Sequence, residues 1–260
     1  MDMIAVDQPA LFASLLPHLA PQKYLLASPR LIERMSAGGR ILWQTFGDEL
    51  WRQCDGWESD IARGWAAMAV GCVPDLEIQS RLHLARRFAE DHHWAVREWA
   101  WLGVRAHIVD APISAIGRLI SWARSPSPYI RRFASESTRP IGVWSKHIAA
   151  LKVDPSQAMP LLSILWDDPS RYVRLSVGNW LNDASKSQPD WVVGLCATWP
   201  HTGNSEEIRR RALRTLRRNS VTATAKFESC SVDPRVAPST SALGPGTGRH
   251  RSRRHPQVPR

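Results

Sequence analysis

Two carboxylates stand at comparable places in two segments that read alike: Glu136 in YIRRFASESTRP, which starts at Tyr129, and Asp183 in YVRLSVGNWLND, which starts at Tyr172. On a helix each residue turns the chain by ~100°. With the aliphatic residues Ile130 and Val173 set toward a core at zero, Glu136 falls at about 240° and Asp183 at about 280°. Parallel copies of such a segment would present both acids on one side. Carboxylates on a shared wall suit a reaction in which positive charge develops beside them and a water must be oriented. Each acid also has a plainer reading. Glu136 can pair with Arg132 at i, i+4, worth ~0.3–0.5 kcal/mol on an exposed helix, and Asp183 can be a helix-terminal residue with local hydrogen bonds. Spacing alone leaves both readings open. Of the thirteen tryptophans, all before residue 200, most must be core. Trp65, Trp122 and Trp166 lie among aliphatic neighbours at helical spacing and read as packing. Trp144 differs: it follows Pro140 and Gly142 in TRPIGVW, off any obvious apolar face, and is the aromatic placed to meet a ligand.

The elements that must carry these residues are helical. Helix punctuation recurs from about residue 8 to 218, and no stretch shows the sustained alternation of β-branched residues that marks strands. Asp154-Pro155 reads as a helix start before QAMPLLSILW, and Asn204 with Glu207 reads as a capping box opening EEIRRRALRTLRR. Four segments superpose: WAVREWAWLGVR, YIRRFASESTRP, YVRLSVGNWLND and EIRRRALRTLRR. Each opens with an aliphatic residue followed by arginine. These arginines, Arg97, Arg131, Arg174 and Arg209, are 34, 43 and 35 residues apart, the period of two-helix solenoid repeats. Turn residues in SPSP and DDPS precede two of them. The fold class expected is all-α, a HEAT-like α-solenoid of stacked antiparallel helix pairs with a concave groove. The N-terminal third has the same helical grain with weaker repeat identity, so it should form the first pairs and cap the stack. After Arg218 the composition shifts to Ser, Thr, Pro, Gly and Arg with Phe227 the only aromatic. Residues 1–218 are therefore assigned to the repeat domain, and 219–260 to a disordered basic tail.

The 34 Lys and Arg exceed the 24 Asp and Glu by ten, which favours a polyanionic partner such as nucleic acid. Half of that excess lies in the tail, where HRSRRHPQVPR could add non-specific phosphate affinity. Cys54, Cys72, Cys196 and Cys230 form neither a CxxC pair nor a secretory spacing, so a reducing cytoplasm is expected. The first residues, MDMIAVDQPALFASLL, carry acids where a signal peptide needs bases, and no apolar run approaches ~18 residues. There is no Walker A run, no GxGxxG after a strand and no HExxH, and the adjacent His92 and His93 cannot converge on a metal as an i, i+4 pair would. No cofactor and no metal are expected.

The stretches SPSPYIRRFASESTRPIGVW and DDPSRYVRLSVGNWLNDASKSQPDWV resemble the two signatures of the AlkC branch of the AlkC/AlkD DNA alkylation-repair family, over roughly residues 90–218. The first signature is a serine-glutamate-x-threonine/serine-arginine-proline motif followed by tryptophan. The second is a leucine-asparagine-aspartate-x-serine-lysine motif. The resemblance implies a monomeric DNA glycosylase that releases cationic alkylated bases such as N3-methyladenine from duplex DNA, holding the duplex in the concave groove and cleaving a base that stays largely stacked. It puts Glu136 and Asp183 on the catalytic carboxylates and Trp144 on an aromatic lining the lesion site. Trp180, where relatives often have histidine, would be a second lesion contact. Arg139 and Lys186, inside the motifs, become phosphate contacts. The repeat arginines Arg97, Arg131 and Arg174 would meet DNA or, as is common in HEAT repeats, pair with an acid in the neighbouring repeat. The match departs at His93, where the family tends to carry a further acid. A non-catalytic HEAT scaffold shares fold and charge, but it has no need of carboxylates in both SESTRP and LNDASK.

Overall fold

The computed structural model describes residues 6–142 and 144–219; the expected tail at 219–260 lies, beyond Asn219, outside them. Among the described residues there are helices and turns and no strand, and no helix is long and apolar enough to cross a membrane. The α-helices are α1 (Gln8–Leu15), α2 (Leu31–Phe46), α3 (Leu50–Gln53), α4 (Asp60–Ala69), α5 (Ile78–Ala89), α6 (Trp94–Asp110), α7 (Pro112–Ala123), α8 (Pro128–Glu136), α9 (Ala149–Val153), α10 (Met159–Leu165), α11 (Arg171–Ala184), α12 (Pro189–Thr198) and α13 (Gly203–Ala212).

Their starts follow from local chemistry. The Asp7 and Ser59 side chains accept from the Ala10 and Ala62 amides at the mouths of α1 and α4. Pro112, Pro128 and Pro189 open α7, α8 and α12, where a missing N–H costs nothing. Asp154 caps as expected, through the Ser156 amide, onto a short 3-10 turn that leads into α10. The last helix corrects the sequence reading. Its capping box is Thr202 with Ser205, not Asn204 with Glu207, because the helix begins two residues earlier and Glu207 turns to Arg171 and Arg174 instead.

The helices stack in two layers. α2, α4, α6, α8, α11 and α13 pack in succession, and α5, α7 and α10 form a second row, with α5 against α6, α7 against α8 and α10 against α11. This is the HEAT-like solenoid that the arginine period predicts. Trp65 and Trp99 fill the core between the layers, and Trp122 and Trp166 are buried with them. Truncating a tryptophan as fully enclosed as Trp65 costs ~3–5 kcal/mol. At Gly103 a Cβ would stand 2.4 Å from the Ala67 carbonyl oxygen, so glycine is what lets α6 lie directly on α4.

The repeat arginines form a ladder along the starts of the inner helices. Arg63, Arg97, Arg131 and Arg174 each donate from Nη1 to the carbonyls six and five residues back, tying the preceding turn to the helix. Arg63, 34 residues before Arg97, is a ladder member in the region of weak repeat identity. Arg63, Arg131 and Arg174 also reach forward to an acid of the next repeat: Asp91, Asp168 and Glu207. Arg97 finds none, because Ser125 occupies the place that Asp91 and Asp168 hold in their repeats. It lies instead over the rings of Tyr129 and Tyr172, at 4.2 and 5.4 Å.

Candidate active site

Helix α8 ends on Glu136, and the turn after it doubles back so that the Arg139 amide donates to the Glu136 carbonyl (3.3 Å). Three groups hold this turn. Thr138 Oγ donates to the Ala134 carbonyl. Trp180 Nε1 donates to the Thr138 carbonyl at 3.0 Å. Arg105 reaches up from α6 to the carbonyls of Ser137 and Arg139, both at 2.6 Å, and of Lys146 at 3.0 Å. Burial, and then the nearby Arg139 charge, lowers the Arg105 pKa to about 10. A cation kept in such a place marks a loop whose carbonyls have no other donors.

Glu136 and Asp183 converge, one from α8 and one from α11. Arg139 sits between them, giving Nη1 to Glu136 Oε2 (3.0 Å) and Nε and Nη2 to Asp183 Oδ2 (2.8 and 2.6 Å). Asp183 Oδ1 accepts from Lys186 Nζ at 2.8 Å. The plainer readings are partly realised as well: Arg132 lies beside Glu136 at i, i+4, and Lys186 is local to Asp183. The other Glu136 oxygen differs from the rest. Oε1 is 3.2 Å from Arg132 Nη2, yet without hydrogen-bond geometry, and it is buried with no donor filling it. Such an acceptor costs ~1–3 kcal/mol unless something uses it.

Glu136 and Arg139 form the floor of a cleft of about 500 Å³ whose other walls include Trp94, Trp101, Trp144, Tyr172 and Asn179. Trp144 is 65% exposed, with its backbone in the left-handed region at φ 59°. A bulky residue held there is strained by roughly 1–3 kcal/mol, and the strain leaves its indole at the cleft rim. Burial works against the charge of Arg132, but Glu136 and Glu98 outweigh it and raise its pKa; Arg139 behaves the same way between Glu136 and Asp183. The cleft thus holds fixed charges of both signs.

The remaining expected site residues distribute as follows. Trp180 is wholly buried and serves the Thr138 turn, so it presents no face to a bound base; the expectation of a lesion contact there is corrected. His93 is the residue before α6, 3.3 Å from Asp60, and is not among the cleft residues. Arg131 and Arg174 are spent in the ladder, Arg97 packs on tyrosines, Arg139 lies between the two acids and Lys186 is half-exposed on Asp183. The sequence reading missed Glu98, which lines the cleft and accepts from Arg132 Nη1 (2.6 Å) and Trp101 Nε1 (2.9 Å). It also missed Tyr172, over which Arg132 lies at 4.4 Å. A signal existed for Glu98, since it follows Arg97 at the same step as Arg132 follows Arg131.

Comparison with known proteins bears on this cleft. A family model described as DNA alkylation repair enzyme matches residues 66–216, which contain both carboxylates and Trp144. The uncharacterized protein YhaZ of Bacillus subtilis strain 168 is 43% identical over 105 residues, which are 39% of this chain and 29% of that one. Among solved structures, the chain is similar to the Pseudomonas fluorescens alkylpurine DNA glycosylase AlkC bound to DNA containing an abasic site analog. The TM-score is 0.67 at 22% identity, covering 83% of this chain and 64% of that one. It is also similar to AlkD2 from Streptococcus mutans, with TM-score 0.61 at 21% identity over 78% and 97% of the two chains. At these identities the structural likenesses concern the fold, and the chain spans under two thirds of the first glycosylase.

Proposed function

The chain belongs to the DNA alkylation repair enzyme family, and from that premise we propose that it is a DNA glycosylase that hydrolyses the N-glycosidic bond of cationic alkylated bases, such as N3-methyladenine, in duplex DNA. The observation that carries the reading is Glu136 Oε1, a buried carboxylate oxygen with an unfilled acceptor position on the floor of an aromatic-walled cleft.

A base alkylated to a cation leaves without being protonated, because it takes the electron pair of the breaking bond and departs neutral. The deoxyribose then carries the positive charge. Glu136 stabilises that oxocarbenium-like sugar and accepts a proton from the water that attacks C1′, leaving an abasic site. Trp144 and the neighbouring indoles offer π faces to the cation, worth ~2 kcal/mol when desolvated. Asp183 has both oxygens engaged, by Arg139 and by Lys186. It is the second carboxylate of the site, adding negative potential and fixing Arg139 against Glu136. Fixed groups of this kind need no reorganisation as charge develops. In this reading the base is cleaved without being flipped out of the duplex.

The test is release of methylated bases from methylated duplex DNA by wild-type protein beside Glu136→Gln and Asp183→Asn. Release by the wild type and its loss in Glu136→Gln with the fold intact supports the reading. Folded wild-type protein that releases nothing overturns it and leaves a DNA- or protein-binding scaffold.

A further inference from the structure

The arginines beside the cleft fall into two electrical kinds. Arg131, Arg174, Arg132 and Arg139 are each matched by a carboxylate. On the far side of α11 the pattern changes. Arg211 of α13 donates Nε to the amide oxygen of Asn179 at 2.6 Å, and Arg214, in the helical turns that follow at 214–219, donates Nη2 to the amide oxygen of Asn182 at 3.0 Å. Among the described residues neither arginine makes a salt bridge. The nearest acid on their own helix, Glu207, is taken by Arg171 and Arg174.

These contacts are built. Asn182 is buried and its Nδ2 is held on the Ala212 carbonyl (3.1 Å), which turns its oxygen to Arg214 and to Thr215 Oγ, from which it also accepts (3.1 Å). Gly178 lets α13 come close: a Cβ there would stand 2.8 Å from Arg211 Cβ. Asn179 in turn lines the cleft, so Arg211 is bonded to a cleft residue and Arg214 to Asn182, three residues further along α11. A neutral amide orients a guanidinium through one hydrogen bond, more weakly than a carboxylate, and leaves its charge uncompensated. Burial and, next, the charge of Arg214 lower the pKa of Arg211. Glu207 and Glu136 offset this only in part and from a distance, with no salt bridge to either arginine, so two neighbouring cations are left that a polyanion would stabilise.

We propose that Arg211 and Arg214, oriented by Asn179 and Asn182, form a site for backbone phosphodiesters of duplex DNA next to the cleft. This rests on the reading of the chain as a DNA-acting enzyme and supplies phosphate contacts other than the acid-paired Arg139, Arg131 and Arg174.

The experiment is fluorescence anisotropy of a labelled, undamaged DNA duplex with the full chain from 50 to 300 mM NaCl. Each phosphate contact contributes about −0.9 to the slope of log K against log salt. Arg211→Gln/Arg214→Gln should flatten that slope by about 1.8, which is roughly 60-fold weaker binding at 0.1 M if the two proteins bind alike at 1 M. Arg211→Lys/Arg214→Lys should keep the slope. Asn179→Asp, which places a carboxylate against Arg211, should flatten it by about 0.9 with melting temperature kept. This single variant carries the test should the double glutamine variant fail to fold. An unchanged slope in a folded glutamine variant, or in Asn179→Asp, overturns the proposal. So does wild-type protein that binds no DNA, or whose DNA binding is displaced by low-millimolar inorganic phosphate. Binding needs no base release, so the two readings fail separately: a flattened slope alongside absent release keeps the phosphate site and removes the glycosylase.

Discussion

The arginine ladder and the cleft are made from the same residue types and differ in how completely those residues are satisfied. In the ladder, Arg131 gives Nη1 to two carbonyls and Nε and Nη2 to the two oxygens of Asp168, so every strong donor direction is filled. In the cleft, Arg139 is divided between two carboxylates, Arg132 between Glu98 and Glu136, and one oxygen of Glu136 has only the ion-pair contact with Arg132 and no hydrogen bond. Complete satisfaction makes a structural joint. Incomplete satisfaction in a rigid frame makes a site, because the missing interaction is what a substrate can supply.

The contrast can be broken most forcefully at the ladder. Asp168→Ala strands the partly buried Arg131 and should cost ~3 kcal/mol in urea unfolding. A loss under ~1 kcal/mol would mean that the ladder carries no weight. In the cleft the same kind of change should act on chemistry rather than stability. Glu136→Gln should lower single-turnover base release by ~10²–10³-fold, in the range of losing one group that stabilises transition-state charge, while the melting temperature stays near that of the wild type. Equal losses of stability at the two places would erase the distinction. Trp144→Ala should remove ~1–2 kcal/mol of contact with a cationic base, seen as a roughly tenfold lower rate with stability little changed, since the exposed indole buries little surface. At the ladder's exception, Arg97→Gln should cost only about 1–2 kcal/mol, because it strands no carboxylate and loses the two carbonyl bonds of its turn and its tyrosine contacts. An effect as large as that of Asp168→Ala would show that the tyrosines replace an acid fully.

The smallest effect lies in the cysteines. Burial pushes the Cys54 and Cys196 thiols up to about 11. Between pH 9 and 11 the folded state keeps protons that the unfolded state has lost. The contribution of these thiols is therefore complete below pH 9 and fades as the pH rises to 11. Iodoacetamide at pH 8 should modify both slowly in native protein and quickly in urea.

Much of the fold was legible. The spacing of aliphatic-arginine pairs announced the stack, and Pro112, Pro128 and Pro189 fell at helix starts without help from their surroundings. Glu136 and Asp183 could be placed on one side because a helix has a fixed pitch and the repeats are parallel. Legibility failed where one residue type serves two environments. Trp180 lies four residues after Ser176 and three before Asp183, a spacing that suits a cleft wall as well as a core. It is the Thr138 turn folding onto it that enclosed it. Asn204 and Glu207 satisfied a capping pattern that Thr202 and Ser205 met two residues earlier, and Glu207 had a stronger partner in Arg174. Glu98 had no motif of its own, and only the packing of α8 against α6 brings Arg132 to it.

The sequence by itself determined the helices, their period and the acids that could share a wall, because those depend on local geometry and repeat length alone. The tertiary structure decided which arginine each acid meets: Arg131 with Asp168 37 residues away, Arg139 with Asp183 44 residues away, and Arg211 with an asparagine rather than an acid. Charge compensation operates across a few ångströms between different repeats. Which side chains come within that distance is fixed only when the repeats are packed.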